Sequence, residues 1–145
     1  MSHFHTQRLV KIRQEYQAVA TAVSYVAQEW NKAHHHEIIR VSRVEISQIN
    51  LAQRSLSDTY IVRAFSEFEG NLREEITSSG LKVPYKAEAL INRAASMRKI
   101  PNDIRLNAHI VRAFRNAVVH QNAAAGVPLS FGAALSSLNR FVASL

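Results

Sequence analysis

The sequence predicts an all-α protein, an up-and-down bundle of four to five helices, on three observations. Apolar residues recur at alternating steps of three and four along most of the chain. Only 4 Gly and 3 Pro interrupt its 145 residues. Capping and breaking residues (Gly80, Pro84, Pro101 and Ser130) fall between the apolar stripes. The length fits a single domain over residues 1–145 whose core needs no covalent staples. A composition of 47% hydrophobic and 20% charged residues is that of a folded chain, not a disordered one.

The first stripe is Leu9, Ile12, Tyr16, Val19, Val23, Val26 and Trp30, one continuous face of a long helix. A seam so regular must pack against another helix, within the fold or across a dimer. The pattern loosens at His34, His35, His36 and Glu37, which marks a connection. Residues 38–46 alternate β-branched side chains and can be extended locally, although no strand partner is evident. A second long helix is expected over residues 48–77, with the stripe Ile61, Phe65, Phe68, Leu72 and Ile76. Gly70 weakens it by up to ~1 kcal/mol relative to Ala, and Gly80 suits the left-handed conformation that ends a helix.

A short third helix spans 85–98, with Pro84 before its start and Leu90, Ile91 and Ala94 inward. Ile100 and Pro101 break the chain, and Asn102 or Asp103 can cap a fourth helix carrying Ile104, Val111, Phe114 and Val118. Residues 121–128 read as a loop. Ser130 can cap a last helix with Phe131, Leu135, Leu138, Val142 and Leu145 inward.

Several function classes are excluded or disfavoured by composition. The chain has no Cys, so it forms neither a disulfide framework nor a thiolate zinc site. No apolar run is long enough to cross a bilayer and the first residues lack a signal-peptide core, so a cytoplasmic location and no membrane partner are expected. With 18 Lys and Arg against 11 Asp and Glu, the formal charge is +7. Most of that charge is arginine, whose planar fork suits bidentate phosphate contacts. Such a chain attracts polyanions, yet net charge does not locate a site.

The segment that carries chemistry is Arg115-Asn116-Ala117-Val118-Val119-His120. An Arg, a polar residue directly after it, and a His that closes the run resemble the motif of the HEPN superfamily. The placement is similar too, near the end of a late helix and followed by one more. The run from Arg63 to Arg73, with Phe65, Phe68, Glu67 and Glu69, resembles the aromatic and acidic helix that many such domains place earlier. The resemblance covers residues 48–145; the first helix matches only in being long and amphipathic.

That resemblance implies a metal-independent endoribonuclease with no cofactor. RNA carries its own nucleophile, a 2′-hydroxyl that attacks the adjacent phosphate once deprotonated. The protein then needs a group that moves protons near neutral pH, and His has a reference pKa of about 6.5. It also needs a cation to hold the charge gathering on phosphorus, as Arg does through forked hydrogen bonds. His120, Arg115 and Asn116 would fill the proton-transfer, charge-stabilising and orienting roles. Outside the resemblance, Arg115 and His120 would equally serve as a surface ion pair and a helix C-terminus.

Five positions along a helix rotate a side chain by about 140°, so Arg115 and His120 do not share a face of a straight helix. Either the helix ends near His120 or another chain completes the site. The resemblance implies the latter, a homodimer that pairs the motif helices. It also implies toxin or phage-defence roles, with RNA as substrate and an antitoxin protein as a further partner. The alternative is a non-catalytic dimeric module of the same fold that binds nucleotide, nucleic acid or protein.

Two further clusters matter. Arg105, His109 and Arg112 precede the motif on the same helix and can track an RNA backbone or form a solvated face. His34, His35, His36 and Glu37 invite a metal reading, but successive helical residues fan out by about 100° and no second ligand pair is near, so no metal site is expected. Aromatic residues are mostly committed to the apolar stripes, which leaves no expected platform for stacking bases.

Overall fold

The computed structural model describes residues 2–30, 32, 44–120 and 128–145. Among these the chain forms five helices and no strand: α1 (Ser2–Glu29), α2 (Ile46–Ser78), α3 (Ala87–Arg98), α4 (Asn102–His120) and α5 (Phe131–Val142). His34, His35, His36, Glu37 and residues 121–127 lie outside the described residues, as does most of the 38–46 stretch; its last residue, Ile46, opens α2.

Helix α2 is the axis of the fold and touches all four others. Its stripe of Ile61, Phe65, Phe68, Leu72 and Ile76 is fully buried. Leu90, Ile91 and Ala94 of α3, Ala108 and Val111 of α4, and Ala134, Leu138, Phe141 and Val142 of α5 close around it. A residue period near 3.6 places such stripes on one face, and burying that face is what holds the helices together. Aromatic rings knit the two ends: Phe68 meets Phe141 edge-on at 5.3 Å, and Tyr16 lies 4.2 Å from Phe131.

Helix α1 runs antiparallel to α2. Arg8 pairs with Glu74, Glu15 with Arg63, and Ser24 accepts from Gln53, so contacts run in opposite order along the two helices. Only the first part of the α1 stripe reaches the core. Leu9 and Ile12 are buried, Tyr16 and Val19 pack at its margin, and Val26 is exposed. Beyond Val19 the α1 stripe outruns the bundle, and its partner is the early part of α2.

The helix ends are satisfied locally. Gln48 Oε1 accepts from the Glu45 N–H, a reciprocal cap that starts α2 two residues before the expected position. Gly80, with φ 71°, ends it, and the Leu81 N–H returns to the Ile76 carbonyl. Ser130 caps α5 by accepting from the Ala133 N–H. The cap expected for α4 is different: Asn102 is its first residue, and its Oδ1 accepts from the Arg105 side chain at 2.7 Å rather than from backbone. The Pro101 carbonyl instead receives the Arg105 N–H. Helix α3 ends on Lys99 in the left-handed region, φ 52°, with the Ile100 N–H bonded to the Ala95 carbonyl.

A half-buried ion pair ties the end of α2 to the end of α3. Glu75 is only 4% exposed, and Arg98 donates to its Oε1 through Nε at 2.8 Å and also through Nη2. Among the described residues no helix is long and apolar enough to cross a membrane.

Candidate functional site

Helix α4 is positioned by contacts with α2, α3 and α5, and its buried residues Ala108 and Val111 fix its rotation. With that side anchored, Arg112, Arg115, Asn116 and His120 are brought to one cleft between α4, α2 and the start of α3. The cleft encloses about 630 Å³ and is completed by Glu69, Arg73, Tyr85, Lys86, Ala87 and Glu88.

Arg115 and His120 meet there although they differ by about 140° around the helix. Arg115 lies on the inner side, half-buried, where α4 faces α2; His120 is the last residue of α4 and is exposed. The helix end thus lets both side chains face one space. Arg115 Nη1 donates to Asn116 Oδ1 at 3.0 Å. Arg115 Nε is buried and has no hydrogen-bond partner, and no carboxylate pairs with this guanidinium among the described residues. A buried donor left unbonded costs free energy, so Arg115 is not held here by a full set of hydrogen bonds.

Four cations, Arg73, Lys86, Arg112 and Arg115, face two carboxylates, Glu69 and Glu88, across this space. Glu88 is partly neutralised by Arg112 at 3.4 Å. Arg73 is committed to backbone, donating to the Pro84 carbonyl at 3.2 Å and the Tyr85 carbonyl at 3.0 Å. The cleft is therefore net positive, with Arg115 as its least engaged inner cation. Such a lining favours a phosphate and disfavours a metal cation. Among the described residues no group of three or more His, Asp or Glu is placed to hold a metal ion.

Arg105 and His109 do not line this cleft; they form a polar seam between α4 and α3. Asn92 Oδ1 accepts from His109 Nε2 at 3.0 Å and from Arg105 at 3.5 Å. Because a carbonyl oxygen can only accept, Nε2 carries the proton and Nδ1, buried and without a partner, is bare. Burial first, then the Arg112 and Arg105 charges, hold the His109 pKa below its ordinary value, against an opposing pull from Glu88. Of the three basic residues that precede the motif on α4, Arg105, His109 and Arg112, Arg112 alone joins the cleft.

Six lining residues are not among the sequence-derived candidates: Glu69, Arg73, Tyr85, Lys86, Ala87 and Glu88. Glu69 and Arg73 sit four apart on α2, inside the Arg63–Arg73 run already compared with the HEPN pattern. The sequence places Tyr85 at a helix start, whereas the structure leaves it outside α3 and 92% exposed. Its position between Pro84 and Lys86, off any apolar stripe, was the available signal. Compared with known proteins, the chain matches no family model, no curated protein and no solved structure.

Proposed function

We propose that this protein is a HEPN-type endoribonuclease that cleaves RNA without a metal and works as a homodimer. The observation that carries the reading is the convergence of Arg115, Asn116 and His120 on one net-positive cleft, with Arg115 free of any carboxylate partner among the described residues. An Arg recruited only for stability would be expected in an internal ion pair, as Arg98 is with Glu75.

In this mechanism the scissile phosphate sits against Arg115. The RNA 2′-oxygen loses its proton to an imidazole and attacks phosphorus. The bond to the 5′-oxygen breaks, and that oxygen takes a proton from a second imidazole. The products are a 2′,3′-cyclic phosphate and a 5′-hydroxyl. Arg115 stabilises the extra charge on the five-coordinate phosphorus, where forked hydrogen bonds strengthen as charge develops. Asn116 holds the Arg115 fork, and His120 of each copy serves as base or acid.

The surface of α4 supports the dimer. Leu106, Ile110, Ala113 and Ala117 follow steps of four, three and four, and Leu106 and Ile110 are 49% and 55% exposed. This apolar stripe lies beside Asn116 and His120 on the helix surface, where a second copy would cover it and bring a second His120 close.

The test is the chemistry of the ends. Purified protein incubated with total RNA and tRNA in EDTA should yield fragments bearing 2′,3′-cyclic phosphate and 5′-hydroxyl ends. Fragments with 5′-phosphates, or cleavage that appears only on adding divalent metal, would contradict this mechanism. Intact RNA would favour the non-catalytic binding module.

A further inference from the structure

Tyr85 is the most exposed large side chain with apolar surface among the described residues, at 92%. Tyr16 and Tyr60 pack against Phe131, whereas among the described residues the ring of Tyr85 pairs with no other ring and is not part of the core. Its backbone, by contrast, is held firmly. Arg73 donates to the carbonyls of both Pro84 and Tyr85. Pro84 fixes its own φ, and α3 begins at Ala87, two residues after Tyr85. The result is a ring presented to solvent on a fixed support, at the rim of the cleft that holds Arg115, Asn116 and His120. Lys86, the next residue, lines the same cleft and adds a positive charge to it.

We infer that Tyr85 is a stacking platform for a base neighbouring the cleaved phosphate, and that the substrate is therefore single-stranded RNA; this rests on the ribonuclease reading above. The face of an aromatic ring accepts any base, so stacking secures the nucleotide with little sequence preference. Bases in an A-form duplex are already stacked and paired, and their faces are not available. With the backbone held, only the two side-chain torsions of Tyr85 must be fixed when a base settles on the ring, so the ordering cost is small and most of the stacking free energy appears as affinity. Arg73 acts here as a positioning residue, since its two hydrogen bonds fix the backbone that presents the ring.

The experiment uses the whole chain and a single-stranded 2′-O-methyl oligoribonucleotide carrying 2-aminopurine, which the enzyme cannot cleave because the 2′-oxygen is blocked. The same strand annealed to its complement is the duplex control, and cleavage of an unmodified single strand is followed in parallel. Wild type should bind the single strand and quench 2-aminopurine. Tyr85→Ala should bind roughly tenfold more weakly and lose the quench, while Tyr85→Trp keeps both and neither substitution moves the Tm. Tyr85→Ala that binds and quenches like wild type would overturn the platform while leaving cleavage, and hence the ribonuclease reading, intact. Duplex bound as tightly as single strand would overturn the substrate class. A wild-type protein that neither binds nor cleaves the single strand would remove both readings together.

Discussion

Arg115 and Asn116 are sequence neighbours joined side chain to side chain, with Nη1 of the arginine donating to the amide oxygen at 3.0 Å. The bond turns the guanidinium toward the cleft without neutralising it, because an amide carries no charge. A carboxylate at 116 would keep the geometry and cancel the charge. Asn116→Asp should therefore lower RNA cleavage by about 100-fold, the lower end of the range for losing one transition-state donor. Asn116→Ser, which keeps a short acceptor, should lose less. Initial rates on one RNA substrate separate the two, and equal rates for both variants would mean the charge at 116 is immaterial.

The exposed apolar stripe on α4 predicts an oligomer. The wild-type chain should sediment as a dimer in the absence of RNA. Ile110→Glu places a charge in the middle of that stripe and should give a monomer whose Tm is little changed, since Ile110 is 55% exposed within one chain. Cleavage should fall with dimer content. A variant that stays dimeric, or a monomer as active as wild type, would separate the α4 stripe from function.

His109 makes stability depend on pH. Its pKa in the folded chain is lowered, mainly by burial and by the neighbouring Arg112. Asn92 and Glu88 face it from α3, and Arg105 and Arg112 flank it on α4. The unfolded chain, with a His value near 6.5, thus takes up the proton first as pH falls. This contribution is fully present above about pH 6.5, declines as pH falls below it, and levels off once the folded imidazole is itself protonated. His109→Gln can still donate to Asn92 and does not titrate. The loss of Tm between pH 7.5 and 5.5 should be smaller in that variant than in wild type, by circular dichroism melts. An equal loss would assign the acid sensitivity elsewhere.

The Glu75–Arg98 pair should matter asymmetrically to stability. Arg98→Ala leaves the Glu75 carboxylate buried without its cation, whereas the Arg98 side chain is itself partly solvated. Exposure on the arginine side moderates the cost of breaking the pair to about 2 kcal/mol. Urea denaturation should show that loss with an unchanged slope. Arg98→Met with no loss of stability would show that packing, not charge, is what this position supplies.

Much of this fold is written in side-chain periodicity, and where periodicity is strong it was legible. The α2 stripe from Ile61 to Ile76 and the α5 stripe from Phe131 to Val142 lie in the core, because a 3.6-residue period leaves a helix one apolar face to bury. Periodicity did not show where burial stops. Val19 and Val26 look alike in sequence, but only Val19 packs on the core. Caps were legible when one residue suffices, as at Ser130 and Gly80, and misread where a choice exists. Asn102 gives its oxygen to Arg105, so the backbone carbonyl of Pro101 serves instead. Lys99 in the left-handed region had no compositional sign. At the cleft, Arg115, Asn116 and His120 stood out as a local pattern. Glu69, Arg73, Tyr85 and Lys86 join them only through the packing of α2 and α3 on α4, which no local pattern encodes.

The central claim is that Arg115 and His120 perform the cleavage. The most direct measurement is the rate of RNA cleavage in EDTA by wild type beside Arg115→Ala and His120→Ala, each first shown by circular dichroism to be folded. Cleavage by wild type that falls by at least about 100-fold in both variants is the predicted result. Equal cleavage by all three proteins, or none by any of them, would contradict it and leave a helical binding module as the account of this cleft.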